Sequence, residues 1–325
     1  MLYLLSFLMP VLSLASLFSE STLLILLPVI STFIITPSID LIPIKLERKG
    51  KKLTFNIVLY AACLLYLTIF SIFLYKLPSM SGSEIILKSL MMGLSGVVFG
   101  INCAHELGHR SNKWAILASK TLLLTTSYMH FHIEHNRGHH KYVATPEDPS
   151  TSRYNEIIFT FLIRSLFMSW ISAFNIEKSN NGILKNKTLH YALYQFAFML
   201  ILGLIHKNLL IGFILHSFVS IILFESVNYI EHYGIVRKVV NGRYEKVTPN
   251  HSWNSDHFFS RIHLFEVSRH SDHHATVSKP FYELESIKSS PQMPTGYAGM
   301  ILLAYVPPLW FKVMNPRVAA REVPQ

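Results

Sequence analysis

The sequence predicts an all-α integral membrane protein, with about six transmembrane helices under a histidine-rich cap on the cytoplasmic side. Three observations carry that reading. Half of the 325 residues are hydrophobic and only 15% are charged, a balance foreign to soluble proteins. Several runs of about 17 to 22 residues are nearly free of charge, the length that crosses a hydrocarbon core. Nine of the 17 histidines sit in four short boxes placed close after such runs or in the polar segments beyond them.

Taken in order, residues 2–18 read as a first span and not as a signal peptide, because no basic segment precedes an apolar run this long. Residues 21–37 form a second span after the turn at Ser19-Glu20. The loop from Lys45 to Lys52 carries five basic residues and one acid, which marks it as cytoplasmic. Residues 54–75 cross outward. The short external loop 76–84 is poor in Lys and Arg, and 84–104 returns the chain. Residues 114–129 include Lys120 and read as a helix along the interface or tucked into the protein. Residues 155–174, with Arg164 in their middle, read as a surface amphipathic helix. Residues 188–205 and 209–230 form a hairpin turning at 206–208. The reading is therefore a single unit over 1–325, with a cytoplasmic cap of roughly 105–187 and 231–325. Within the cap, 297–310 contains Pro307 and Pro308 and reads as a further interfacial helix.

The boxes are HELGHR, EHNRGHH, NYIEHYG and RHSDHH. On a helix, residues four apart share a face and neighbours diverge by about 100°. His105 and His109 are then paired. His135 and His139 are expected to address one metal, with His140 pointing elsewhere. His232 stands beside Glu231, and His270, His273 and His274 form the last box. Nine imidazoles are too many for one metal and suit two. Neutral imidazole suits iron, zinc and copper. A histidine-only set differs from ferritin-type sites, which use Glu and Glu-x-x-His. Open coordination positions favour iron that binds oxygen over zinc hydrolysis. Cys63 and Cys103 make no CxxC pair, so no iron–sulfur, rubredoxin-type or zinc-ribbon module is present within these residues. The net charge of +10 reads as cytoplasmic-loop excess, because no basic stripe with interleaved aromatics indicates nucleic acid.

These boxes resemble those of the membrane alkane 1-monooxygenases (alkane omega-hydroxylases), within the histidine-rich fatty acid desaturase/hydroxylase superfamily. The likeness extends through ATPEDPSTSR, HSWNSDH, PTGYAGM and WFKVMNPRV, so it covers roughly residues 100 to 317. Arg110 stands where a lysine is more usual. The resemblance implies two non-haem iron ions held by His105, His109, His135, His139, His140, His232, His270, His273 and His274. It implies O2 as co-substrate and insertion of one oxygen atom into the terminal C–H of a linear alkane. Electrons would come from a separate rubredoxin or ferredoxin and its NAD(P)H-dependent reductase. Six crossings, an even number, together with the basic loop place both termini and the nine histidines on the cytoplasmic side, and the membrane is expected to be a bacterial plasma membrane.

A methyl group offers neither acidic proton nor leaving group, so a metal–oxygen oxidant is the chemistry that attacks it. Related oxidations of fatty acyl chains or aromatic methyl groups, desaturation included, are the enzymatic alternatives. A non-catalytic metal-binding protein or transporter is the alternative of another class, but transporters place ligands near the midplane. Metal-bound histidines usually donate their second N–H to a carboxylate or carbonyl, and Glu106, Glu134, Glu231 and Asp272 adjoin the boxes as candidates. His130 and His132, and also His251 and His257, are candidates for orienting ligands; the last two are also candidates for meeting the electron donor. His206 is expected to be solvated and His216 packed in the core. Thr32, in the second span, is a candidate limiter of substrate chain length.

Overall fold

Backbone amides in hydrocarbon find no water, so an apolar run must satisfy them internally, and the charge-poor runs fold as helices. The computed structural model describes residues 2–44 and 50–322; residues 45–49 of the expected basic loop lie outside them. The helices are α1 (Tyr3–Phe18), α2 (Thr22–Asp40), α3 (Lys52–Ser79), α4 (Gly82–Gly108), α5 (Lys113–Thr125), α6 (131–142), α7 (Ile158–Asn181), α8 (Lys187–Ile205) and α9 (Lys207–His232). The cap adds α10 (Phe258–His263), α11 (His270–Ala275), α12 (Tyr297–Ala304) and α13 (Pro307–Glu322). The sole strands among the described residues are the hairpin Val239–Val240 and Arg243–Tyr244.

Six of the described helices are long and apolar enough to cross a membrane: α2, α3, α4, α7, α8 and α9. Large apolar side chains on them face outward, with Leu204 78% and Leu64 68% exposed. Such surface is tolerable in lipid and not in water, so this is a multi-pass membrane protein. The helices that meet the length and hydropathy requirement differ from the expected set in two places. The expected surface helix around 155–174 is a 24-residue apolar helix, whereas α1 is a shorter one. Arg164 does not interrupt α7, because its guanidinium folds back onto Glu156 at 2.8 Å and onto the carbonyl oxygens of Pro149 and Thr151 at 3.0 Å.

Contacts sort the helix ends into two levels. At the histidine level, the Tyr3 hydroxyl donates to Glu266, and Asp40 accepts from the backbone N–H of Phe259 at 2.7 Å. Phe55 stacks on Tyr282 with ring centroids 5.4 Å apart. At the far level, Lys88 donates to the Leu17 carbonyl oxygen at 3.4 Å and Asn208 to that of Leu77 at 3.2 Å. Ser81 and Glu84 form a capping box that starts α4 there. Both ends of α7 stay at the histidine level: the Tyr229 hydroxyl donates to the Glu156 carbonyl oxygen at 2.7 Å, and Arg137 pairs with Glu177. Helix α5 dips inward until the Thr125 hydroxyl lies 3.0 Å from that of Tyr66, so it is tucked between spans.

Three helices contain a wider π-helical turn: Ser31–Ile35 in α2, Gly96–Asn102 in α4 and His135–His139 in α6. A second apolar cluster, with Tyr229, Tyr233, Trp253 and Trp310 buried together, fixes α13 against the end of α9. Burying each such aromatic contributes about 2 kcal/mol or more, which anchors the cap to the span that ends at His232.

Candidate metal centre

Four separate segments bring nine histidines together. Helix α4 ends by presenting His105, with His109 just beyond its last turn; α6 supplies three rings, the end of α9 His232, and α11 three more. They form two groups, in each of which the ligand nitrogens lie within 4.8 Å of one another. One comprises His105, His109, His135, His140 and His273, the other His139, His232, His270 and His274. The His135, His139 and His140 box divides differently from the helical expectation. His135 joins His140, and it is His139 that turns to the other group. The cause is the π turn: it admits one extra residue, so positions five apart, not four, share a face.

The donor set fits a metal. In the first group the Nε2 atoms of His109, His135 and His140 lie pairwise 3.2, 3.3 and 2.9 Å apart. In the second, His274 Nε2 is 3.2 Å from His139 Nε2 and 2.9 Å from His270 Nε2, which is 3.1 Å from His232 Nε2. One imidazole proton cannot satisfy three mutually close nitrogens, whereas a cation at their centre accepts every lone pair. Burial first, and then neighbouring rings, push His109, His135, His140, His270 and His274 well below the ordinary imidazole range. His273 is held down to about 3 for the same reasons. Neutral rings are the form that ligates. The two groups are therefore able to bind a pair of metal ions.

The acids are arranged less simply than their adjacency suggests. Glu106 accepts from Arg110 at 2.5 Å. Glu134 accepts from the Ser172 hydroxyl at 3.3 Å; burial, and then the charges of Asp148 and Glu225, raise its carboxyl well above the usual range. Asp272 pairs with Lys279 at 2.9 Å. Glu231 accepts from the Tyr297 hydroxyl at 2.7 Å, and its other oxygen lies 3.2 Å from His270 Nε2, on the ligating side of that ring. The carboxylate that holds a ligand's second nitrogen is Asp148, 2.9 Å from His139 Nδ1. Burial opposes its charge, but His139 and the Thr151 hydroxyl keep its carboxyl below the ordinary range. Sequence adjacency missed Asp148; the available signal was its place in the polar run EDPSTS just after the box.

A narrow cavity adjoins both groups. His105, His135 and His270 reach it, while Val97, Phe224, Val227, Leu264 and Val267 make its apolar walls. Thr32 is not among the residues lining it, and its hydroxyl donates to the Pro28 carbonyl oxygen at 2.9 Å. His216 is buried 3.3 Å from the Tyr66 hydroxyl, and His206 Nδ1 accepts from the Asn208 N–H at 3.1 Å, capping α9. His130 is buried with its Nε2 unpartnered, and His132 is held down to about 4, chiefly by burial. His257 contacts the Ser255 hydroxyl at 2.9 Å and His251 faces Glu245 at 3.3 Å.

The fold and the site together define a membrane-embedded helical protein with a paired-metal polyhistidine centre. The chain belongs to the fatty acid desaturase family, whose sequence profile matches residues 84–304. It is similar to alkane 1-monooxygenase 2 of Alcanivorax borkumensis, 41% identical over 70% of this chain and 62% of that protein. It is similar also to alkane 1-monooxygenase of Acinetobacter baylyi (38% identity; 71% of this chain, 60% of that protein) and to alkane 1-monooxygenase 2 of Pseudomonas aeruginosa (40%; 71% and 64%). These matches span less than two thirds of each relative's length.

Proposed function

We propose that this protein is a non-haem di-iron monooxygenase that converts linear alkanes, O2, two electrons and two protons into 1-alkanols and water. The observation that carries this reading is the pair of buried histidine groups beside a narrow, mainly apolar cavity walled by Val97, Phe224, Val227, Leu264 and Val267, because an apolar approach to a metal centre favours a hydrocarbon. The relatives' printed activity supports it. Iron bound by the nine histidines would supply activation of O2. The chain's own residues do the rest. Val97, Phe224 and Val227 exclude water and guide an alkyl end toward the rings. Asp148 fixes the tautomer and direction of His139. Tyr297 orients Glu231 beside His270.

Reduced rubredoxin, or a ferredoxin, renewed by an NAD(P)H-dependent reductase, is the electron source in this reading. The membrane arrangement we favour has six crossings, α1 to α4, α8 and α9, with α7 lying along the histidine side. The two-level contacts support it, since an odd number of crossings between His135 and His232 would part the centre. The histidine side is cytoplasmic in this reading, and the membrane is the plasma membrane.

The test is product analysis. Membranes holding the protein, rubredoxin, its reductase, NADH and O2 receive a ladder of linear alkanes, and gas chromatography–mass spectrometry reads the products. Matching 1-alkanols, absent from His139→Ala, are expected. No alcohol from protein that retains two irons per chain would reject the reaction while leaving the metal centre standing.

A further inference from the structure

Outside the histidine centre, a cleft of about 790 Å³ lies where Gly234–Val236, the segment around Thr248–His251 and the end of α13 meet. It has a basic rim. Lys238, Lys288 and Arg321 line it, and its one acid, Glu245, is engaged by His251 at 3.3 Å and by the Lys238 N–H at 2.9 Å. Beside these charges Val236 presents an apolar side chain that is 65% exposed. An apolar spot within a charged rim is the composition of a protein-docking surface. The cleft sits at the C-terminal end of α13, whereas Trp310, near the start of that helix, packs on Tyr229 near the end of α9.

Beneath it the structure leads straight to the metal centre. The Arg321 guanidinium lies 5.8 Å from the Trp253 ring centre. Trp253 is buried, and its backbone N–H donates to the Glu231 carbonyl oxygen at 2.8 Å. Its indole N–H donates to the Tyr233 carbonyl oxygen at 2.9 Å. Those two carbonyls flank His232. The neighbouring Ser252 carbonyl accepts from the Ser271 hydroxyl at 3.2 Å, next to His270. One residue under the cleft is thus hydrogen-bonded, by its backbone and its ring, to the two residues that flank one candidate ligand and, through the adjacent residue, to the segment carrying another.

We propose that this cleft docks a small acidic one-electron iron–sulfur carrier, and that Trp253 forms the bridge by which its electron reaches the histidine centre. The proposal rests on the monooxygenase reading above. In each encounter the carrier's iron goes from ferrous to ferric and the metal pair gains one electron. Two encounters supply the two electrons that, with two protons, reduce one oxygen atom of O2 to water as the other enters the substrate.

The experiment mixes iron-loaded protein with dithionite-reduced rubredoxin, anaerobically and free of excess dithionite, in a stopped-flow instrument, and follows rubredoxin oxidation by its visible absorbance. The double variant Lys238→Glu/Lys288→Glu should raise the half-saturating rubredoxin concentration at least tenfold at low salt. That difference should shrink at high salt, where screening removes exposed charge attraction. Trp253→Phe should slow the limiting rate and leave half-saturation unchanged, with iron content confirming a folded centre. Lys185→Glu, an exposed charge reversal elsewhere, serves as the control. Unchanged half-saturation in the double variant, while the unmodified protein oxidises rubredoxin, overturns the docking site alone. No oxidation by the unmodified protein rejects the electron-donor part of the monooxygenase reading, and the docking site with it.

Discussion

Helices α6 and α11 each supply three of the nine grouped histidines and each divide them between the two groups, yet their spacings differ. In α11 the order is His270, two residues, then His273 and His274. His270 and His274, four apart on an ordinary helix, serve one group and His273 the other. In α6 the order is His135, three residues, then His139 and His140. Here His135 and His140, five apart, serve one group and His139 the other. The π turn absorbs the extra residue, so the two boxes become geometrically equivalent. An adjacent pair of histidines thus hands one ring to each group, because consecutive side chains diverge by about 100°.

The largest effect should come from removing a ring. His139→Ala and His274→Ala should each lose metal from the second group and at least about 100-fold in hydroxylation, exceeding the usual cost of removing a group that only orients a ligand. Elemental analysis beside product formation checks this; a variant retaining both metals and full activity would remove that ring from the ligand set.

The spacing itself can be exchanged. Inserting an alanine after Ser271 gives α11 the longer spacing without a π turn around it, and metal content should fall to that of the alanine variants. Deleting Asn136 gives α6 the shorter spacing and sacrifices a 2.8 Å bond to the His132 carbonyl oxygen. Both metals should remain, with activity within about tenfold of the parent, since the i,i+4 relation then replaces i,i+5. If the deletion loses metal as completely as His139→Ala, the two boxes are not equivalent.

Asp148→Asn tests an asymmetry between the groups, since it removes the carboxylate that holds His139. Metal affinity or activity should fall about 10- to 100-fold, with the second group affected first in a chelator titration. Gly138→Ala probes the packing of the π turn. A Cβ there would meet Glu134 Oε1 at 2.5 Å, so the melting midpoint in detergent should fall by the equivalent of about 1–3 kcal/mol.

The smallest effect concerns His263, a histidine outside both groups. Burial, only partly offset by the Phe259 backbone, holds its pKa down to about 4 from an ordinary 6.5. Below 6.5 the unfolded chain takes a proton that the folded chain refuses, so stability falls with pH between 6.5 and 4. The slope is about 1.4 kcal/mol per pH unit from this group. His263→Phe should lose less stability than the parent between pH 7 and pH 5, and parallel losses would show that the ring titrates normally in place.

Much of this was legible in the chain. Charge-poor runs of bilayer length announced membrane helices, and the four boxes announced metal binding, because both signals are local. Segment 155–174 was harder. Arg164 argued for a surface helix, and both ends of α7 do stay at the histidine level. The helix's length and apolar character were less legible, because the Arg164 charge is met by Glu156, eight positions earlier, and by two loop carbonyls. The acids next to the boxes drew attention from Asp148, which reaches His139 only because the chain turns back after Tyr142.

By itself, the sequence determined the helical membrane class, the all-imidazole chemistry and the nine rings available, since composition and short spacings suffice for these. The tertiary structure decided which rings gather in each group, which carboxylate holds His139, and that Trp253 lies between a basic cleft and His232. The physical reason is distance along the chain. His105 and His273 are 168 positions apart, yet their Nε2 atoms lie 3.0 Å from each other. Only the packing of α4 against the cap, together with the extra residue held in the π turn of α6, sets that geometry.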